Sequence, residues 1–239
     1  MKTLVIYMPL TWATLSSKVF KSFIEMTGPD ILAELQKRDI QVKYLITGTF
    51  PLCRNRNEAV QIALSNKYEA DYIFFADADQ IWPKDTLLKL LDHVSDDYPV
   101  VSGLYWRKGG NHACIQGHYT DWKRHENIRK TIEGMGFVDK DGNQLLFYKP
   151  LTDFHTVQPI DVAGCGVLMV RADVFKKLDI PYFHYWNPYI LNGDFSISHA
   201  SEEMQFFAKL RKAGIKTLVV PSVRCGHVTE VVIGSPETE

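Results

Sequence analysis

Residues 71–83 join an apolar run of strand length to two closely spaced carboxylates. The run Tyr72–Ala76 is apolar and aromatic throughout, Asp77 and Asp79 follow it, and Pro83 permits a new helix to begin. A continuous apolar run of this length predicts a buried strand, and the two aspartates then lie at the carboxyl end of that strand. In an open α/β sheet that edge is where ligands bind. Two aspartates there suit a hard divalent cation that holds phosphate oxygens, although Asp-x-Asp also occurs in solvated turns.

The rest of the chain alternates short apolar runs with segments of helical periodicity. Further strands are predicted at 3–8, 42–46, 98–104, 160–171 and 216–220. Helices are predicted between them, the clearest at 198–214. This alternation predicts an α/β fold of the Rossmann-like kind, with a mostly parallel central sheet and helices on both faces.

The length of 239 residues fits one α/β domain. We expect this single domain to cover residues 1–233 and to be followed by a flexible tail at 234–239. Two stretches depart from the alternation and are expected to lie on the acceptor side of the site: 105–158 and the aromatic loop 181–195. The first contains an Asp-Gly turn signal at 139–143, which predicts a hairpin and, with it, either functional surface or a small added sheet.

Charge and cysteine content exclude several classes of protein. The net charge of -1 gives no general attraction to nucleic acid or to an anionic membrane. The four cysteines, Cys53, Cys114, Cys165 and Cys225, form no Cys-x-x-Cys pair. We therefore predict that they are free thiols in a reducing compartment. No segment approaches the roughly 20 apolar residues of a membrane span, and the first apolar run reaches Pro9 too soon for a signal peptide. We therefore expect a soluble, cytoplasmic protein with no nucleic-acid partner and no transmembrane segment.

Two helix starts carry charged side chains of possible functional use. The segment 54–57, with two arginines and two asparagines, opens a predicted helix and supplies cations and donors where backbone amides already favour an anion, which indicates a phosphate- or base-contacting corner; a plain solvated helix start explains it equally well. Glu202 and Glu203 follow Ser201, the expected cap of the helix at 198–214. Acids stabilise the first turn of a helix, so this pair also has a structural explanation.

Three further features border the predicted strands. Gly164 lies just before a buried strand in a Gly-Cys-Gly sequence, which allows close approach of a ligand or of another strand. Tyr185 and Trp186 belong to the aromatic loop, and their rings are suited to stack on sugars or bases or to pack in a core. His227 follows the last strand, and a lone histidine is more often structural than a ligand.

The order of these features resembles the family 2-like glycosyltransferases of the GT-A fold, especially the small bacterial and phage-type members. The resemblance spans residues 3–228 and rests on the whole set of motifs. The matching features are the first strand ending at Pro9, Arg54-Asn55 opening a helix, Asp77-Ala78-Asp79 after an aromatic strand, Gly164-Cys165-Gly166 before a strand, Ser201-Glu202-Glu203 opening a helix, and Gly226-His227 after the last strand.

The resemblance implies a metal-held sugar-nucleotide donor. Asp79 would coordinate Mn²⁺ or Mg²⁺, His227 would be a second protein ligand, and Asp77 would contact the ribose or the metal through water. The residues that it places around the nucleotide are Pro9 with the loop after it, Arg54, Asn55, Asp77, Ala78 and Asp79. The acceptor side would include Gly164, Tyr185 and Trp186.

The resemblance also implies a general base for the acceptor hydroxyl. Glu203, or in second place Glu202, stands where inverting members carry this carboxylate. The common family pattern there is Glu-Asp, whereas this chain has two glutamates. Retaining GT-A enzymes share the Asp-x-Asp motif and the late histidine without a dedicated base. An inverting reaction is the expectation, and the stereochemistry stays open.

The sequence thus predicts a metal-dependent glycosyltransferase that moves a sugar from a nucleoside-diphosphate donor, of the UDP or GDP type, to a carbohydrate or other hydroxyl acceptor. One alternative is a nucleotidyltransferase that makes sugar nucleotides; residues 8–17 lack the Gly-rich, lysine-bearing loop that such a site needs. A second alternative is a non-catalytic carbohydrate- or nucleotide-binding module, in which three separated ligands would have no function.

Overall fold

A computed structural model describes residues 1–10, 15–48, 50–106, 116–121, 137–138, 145–184 and 201–228. The strands within these ranges are β1 Lys2–Pro9, β2 Ile40–Thr47, β3 Tyr72–Ala76, β4 Gln80–Ile81, β5 Val100–Leu104, β6 Gly117–Asp121, β7 Phe137–Val138, β8 Leu145–Pro150, β9 Gln158–Ile160, β10 Val167–Arg171, β11 Thr217–Arg224 and β12 Gly226–His227. The helices are α1 Ser17–Met26, α2 Pro29–Lys37, α3 Leu52–Leu64, α4 Thr86–Leu91 and α5 Glu202–Lys212, with a 3-10 helix at Ala172–Lys177.

Seven strands form the central sheet in the order β2-β1-β3-β10-β5-β11-β9. Strands β1, β2 and β3 pair in parallel, and so do β5 and β11. Strand β10 runs antiparallel between β3 and β5, and β9 runs antiparallel to β11 at one edge. The predicted mostly parallel sheet is confirmed. The alternation of strands and helices in the sequence did not predict that β9 and β10 are antiparallel to their neighbours.

Helices cover both faces of this sheet, as predicted. Apolar residues of α3 and α5 pack on one face against Val5 and Tyr7 of β1. Those of α1, α2 and α4 pack on the other face against Leu4 and Ile6 of the same strand. Because successive side chains of a strand point to opposite faces, a strand covered on both sides must be apolar throughout. This is why β1 and β3 appear in the sequence as continuous apolar runs.

The carboxyl ends of the parallel strands meet at one edge of the sheet. Asp77 follows β3 there, and Tyr105 follows β5. Because β10 is antiparallel, its start and the preceding Gly164–Gly166 segment lie at the same edge, next to Ala76. A short ribbon of β4 and β12 pairs His227 with Gln80, so the last strand of the described residues lies beside the Asp-x-Asp motif.

The excursion at 105–158 contains a small antiparallel sheet in the order β6-β8-β7. Strands β7 and β8 pair across the predicted hairpin, whose turn lies outside the described residues, as does the predicted tail. The described cysteines, Cys53, Cys165 and Cys225, are free thiols, and Cys114 lies outside the described ranges. Among the described helices, none combines the length and apolar character needed to cross a membrane.

Candidate active site

The turn after β3 is held by backbone hydrogen bonds on both sides. The Asp77 N–H donates to the Gly166 carbonyl at 3.4 Å, and the Gln80 N–H donates to the Asp77 carbonyl at 3.1 Å. The Trp82 indole N–H also donates to the Gly166 carbonyl, at 3.2 Å. The two aspartates therefore stand on a turn that is tied to the start of β10.

Asp79 and His227 face each other at this turn. Their atoms Oδ2 and Nε2 are 3.4 Å apart. The other ring nitrogen, Nδ1, lies 2.8 Å from the Trp106 carbonyl oxygen, and the Val228 N–H donates to the Asp79 carbonyl at 2.8 Å. A carbonyl only accepts, so Nδ1 carries a hydrogen, and Nε2 is the ring nitrogen that faces Asp79. A backbone carbonyl that fixes the tautomer in this way is typical of histidines that bind metals.

Arg56, near the start of α3, lies beneath this turn with its side chain 0% exposed. Its Nη2 donates to both carboxylate oxygens of Asp77, at 3.0 and 3.1 Å. Its Nη1 donates to Glu202 Oε1 and lies 3.4 Å from Glu203 Oε1. One buried guanidinium therefore connects the Asp-x-Asp motif to the acidic pair that opens α5.

The two glutamates of this pair have different surroundings. Ser201 caps α5, as predicted, by accepting a hydrogen bond from the Met204 N–H at 3.4 Å. The Glu202 side chain is 5% exposed and bound to Arg56, whereas the Glu203 side chain is 22% exposed. Glu203 Oε1 also accepts from the Cys165 N–H at 3.4 Å. Glu203 is therefore the more solvent-accessible of the two glutamates.

Three carboxylates around one cation leave the cluster with excess negative charge. Burial raises the pKa of Asp77, and the adjacent Arg56 opposes this rise. Burial, and then repulsion by Glu203, raises the pKa of Glu202 to about 7, again against the effect of Arg56. Burial also holds the pKa of the Cys165 thiol well above its usual range, so that this cysteine stays neutral and is not a nucleophile. The cluster therefore favours a bound proton on its most buried acid, Glu202.

The raised pKa of Glu202 predicts a pH-dependent stability. Between its ordinary pKa of about 4.5 and its folded pKa of about 7, the folded chain holds more protons than the unfolded chain. The free energy of unfolding should therefore fall as pH rises through this window, by up to about 1.4 kcal/mol per pH unit. We expect Glu202→Gln to flatten this slope, as measured by urea denaturation at several pH values. Equal slopes in wild type and variant would contradict the assignment.

The residues predicted around the nucleotide occupy different environments. Pro9 ends β1 at the ligand edge and is buried, and Ala78 is partly buried against the core on the side of α1. Arg54 is 66% exposed and forms an ion pair with Glu58 at 2.8 Å. Asn55 is fully buried and its Oδ1 accepts hydrogen bonds from the hydroxyls of Tyr7 (2.8 Å) and Thr47. The structure thus gives Asn55 a role in holding α3 against the sheet.

The acceptor-side residues are described only in part. Gly164 is buried in the segment before β10, one residue before the amide that donates to Glu203. Tyr185 and Trp186 lie outside the described residues. At Gly166, a Cβ atom would lie 3.0 Å from Gln80 Cγ, a close contact that the Gln80 side chain would have to relieve by shifting. This contact supports close packing against another part of the chain, rather than approach of a ligand, as the reason for the glycine at 166.

Arg56 is a site residue that the sequence analysis considered only as part of the segment at the start of its helix and did not single out. It belongs to the same Arg-Asn-Arg-Asn segment as Arg54, and the helical period could have distinguished the two arginines. Arg56 lies three, four and seven positions before the buried Ala59, Val60 and Ala63 of α3, so it shares their inward face. Arg54 lies on the opposite, solvated side of the helix.

The donor set fits a divalent cation shared with a substrate. Among the described residues, no three His, Cys, Asp or Glu side chains converge on one metal position. A carboxylate oxygen and an imidazole nitrogen do converge, at Asp79 and His227. Two protein ligands suit a cation whose remaining positions are filled by phosphate oxygens and water, as is usual for Mg²⁺. The observed partner of Asp77 is Arg56, and its contact with a metal or a ribose stays a prediction.

Comparison with known proteins supports the resemblance found in the sequence. The sequence model of glycosyl transferase family 2 matches residues 27–178, more than half of the chain. Among curated protein sequences, none matches the chain significantly.

Solved structures share the fold at low sequence identity. A197 from STIV has a TM-score of 0.53 and 17% identity, over 96% of this chain and 87% of that chain. GalNAc-T7, whose structure was solved with UDP, GalNAc and Mn²⁺, has a TM-score of 0.53 and 16% identity, over 96% of this chain but only 43% of its own. At such identities the likeness shows the fold alone. That fold is the GT-A fold expected from the sequence.

Proposed function

This chain belongs to glycosyl transferase family 2, and we propose that it transfers a sugar from a nucleoside-diphosphate donor to an acceptor hydroxyl in a metal-dependent reaction. The observation that carries the proposal is the meeting of both acidic motifs at Arg56, at the carboxyl edge of the sheet. Such a reaction needs one set of groups for the leaving diphosphate and another for the acceptor hydroxyl. The two acidic pairs supply one set each, side by side.

On the donor side, Asp79 and His227 would hold Mn²⁺ or Mg²⁺. A bound cation would neutralise the charge that develops on the departing diphosphate. GalNAc-T7, which shares the fold, was crystallised with UDP and Mn²⁺. The hydrogen bond from His227 Nδ1 to the Trp106 carbonyl directs Nε2 toward Asp79 and holds the ring in the orientation that a metal ligand needs. We propose a UDP or GDP type of donor.

The nucleotide would lie along the ends of β1 and β3. Pro9 and the loop after it, Arg54 and Ala78 are the proposed contacts, together with Asp77 for the ribose. Arg54 is exposed and lies at the start of α3, where a cation and helix amides both favour phosphate. Asn55 would act on this side indirectly, because its side chain fixes the position of α3.

On the acceptor side, Glu203 would remove the proton from the attacking hydroxyl, which corresponds to an inverting reaction. General-base assistance of this kind contributes about 10²–10⁴ to the rate. Glu203 is the more exposed of the two glutamates, whereas Glu202 is committed to Arg56. Gly164, Tyr185 and Trp186 are the proposed neighbours of a carbohydrate acceptor.

A donor-consumption assay tests this proposal. The purified protein is incubated with a panel of UDP-, GDP-, CDP- and ADP-linked sugars, in Mn²⁺ or in EDTA, and release of the nucleoside diphosphate is measured with and without simple sugar acceptors. We expect release from one nucleotide class, only with metal, and faster with a suitable acceptor. Equal release in EDTA would contradict metal dependence, and no release from any donor would contradict the proposed reaction.

A further inference from the structure

Arg56 is buried in a way that requires several partners. Its side chain is 0% exposed, and a buried guanidinium is stable only when ion pairs and hydrogen bonds replace its hydration. Those partners come from distant parts of the chain. Asp77 is 21 residues away and Glu202 is 146 residues away. Arg56 is therefore a contact between two segments rather than a local feature of α3.

The shape of the guanidinium fixes how these segments sit relative to each other. Nη2 contacts both oxygens of Asp77, and Nη1 contacts Glu202 and lies near Glu203. The two nitrogens belong to one rigid plane, so the donor-side and acceptor-side carboxylates are held at a set separation. A lysine ammonium carries the same charge at a single point and does not reproduce this fork.

The start of α3 is itself held on both sides of Arg56. Asn55 accepts a hydrogen bond from the Tyr7 hydroxyl of β1 at 2.8 Å. Asn57 exchanges two hydrogen bonds with the backbone of Phe183, at 2.6 and 3.1 Å. The Phe183 ring also lies 6.0 Å from the guanidinium carbon. Arg56 thus extends from a rigid support, which a residue that positions others requires.

We propose that Arg56 is a positioning residue, which holds Asp77 and Glu203 at the separation that sugar transfer needs. The inference rests on the proposed function and adds to it a residue that touches neither donor nor acceptor. Misplacement of a catalytic group by about 1 Å lowers a rate by about 10²-fold. Loss of this two-nitrogen contact should therefore reduce kcat while donor binding persists.

Arg56→Lys tests the proposal, with Arg171→Lys as its matched control. Arg171 also contacts two carboxylates, those of Asp96 and Asp173, but lies at the far end of β10, opposite the amino end of β3. We expect Arg56→Lys to fold and to lose kcat by about 10²-fold, with a smaller change in the donor KM. Arg171→Lys should keep wild-type kcat. Wild-type kcat in Arg56→Lys would overturn the proposal.

Hydrogen exchange tests the same proposal without any substrate. In Arg56→Lys we expect amides of 77–81 and 202–206 to exchange about tenfold faster than in wild type, and those in Arg171→Lys to be unchanged. Changes confined to α3 would overturn the inference. If the wild-type protein consumes no donor, the proposed function fails. The exchange result alone then shows whether Arg56 holds segments 77–81 and 202–206 in place.

A double variant covers the case in which Arg56→Lys does not fold. Arg56→Met with Glu202→Gln removes the buried cation together with its most buried carboxylate, so that the carboxylates left without this cation are those of Asp77 and Glu203, which are 21% and 22% exposed. We expect this variant to fold and to remain about 10²-fold below Glu202→Gln in kcat, with faster exchange at 77–81. If it matched Glu202→Gln in both respects, or if it too failed to fold, Arg56 would be a structural counter-ion and the proposal would be wrong.

Discussion

Replacing Asp79 by alanine is expected to abolish the metal-dependent binding of a nucleoside diphosphate. The Asp79 carboxylate and His227 Nε2, 3.4 Å apart, are the two protein groups proposed to hold the cation. Loss of a directly coordinating oxygen should weaken binding by more than the about 10–100-fold that the loss of an outer-shell partner costs. The measurement is a thermal-shift titration of the nucleotide at fixed Mn²⁺, in which the variant should show no Mn²⁺-dependent stabilisation.

Asp92→Ala is a suitable control for this experiment. Asp92 is 54% exposed, lies just after α4 and pairs with Arg38, and it is not among the proposed metal ligands. We expect its stabilisation by metal and nucleotide to match that of wild type. If Asp79→Ala kept wild-type metal-dependent affinity, Asp79 would not be a ligand and the site would have to be placed elsewhere.

Replacing Glu203 by glutamine is expected to lower sugar transfer by at least about 10²-fold. The amide keeps the size of the side chain but cannot take up the acceptor proton. Donor affinity should stay within about threefold of wild type, since the proposed donor contacts lie on the other side of Arg56. Single-turnover transfer and a separate donor titration distinguish the two effects.

Glu202→Gln supplies the comparison. The Glu202 carboxylate is 5% exposed and bound to Arg56 in the wild-type protein. We therefore expect Glu202→Gln to lose less activity than Glu203→Gln. Full turnover in Glu203→Gln would exclude Glu203 as the base. A larger loss in Glu202→Gln would then assign the role to Glu202, and no loss in either variant would favour a retaining reaction without a side-chain base.

Much of the fold was predictable because its central strands are buried on both faces. Such strands must be apolar along their whole length, and helices of ordinary period must cover them, so β1 and β3 could be recognised from the sequence. The position of β10 could not. Its antiparallel pairing with both β3 and β5 depends on contacts between residues far apart in sequence, which no local pattern records.

The proposed site was partly predictable for a related reason. The family resemblance implied that a histidine after β11 meets the acids after β3, and Asp79 does lie beside His227. The carboxyl ends of parallel strands share one edge of a sheet, which is the physical reason that they can meet. The role of Arg56 was missed because charged residues at helix starts are usually solvated. Only its register with Ala59, Val60 and Ala63 of α3 distinguishes it from the exposed Arg54.

The measurement that tests the central claim most directly is calorimetric titration of UDP, GDP, CDP and ADP into the wild-type protein, each with Mn²⁺ and with EDTA. The account predicts that one of these nucleotides binds and that it binds only with the metal, which would also identify the class of donor. Binding of equal strength in EDTA, or no binding of any nucleotide in either condition, would contradict a metal-held sugar nucleotide at the carboxyl edge of this sheet.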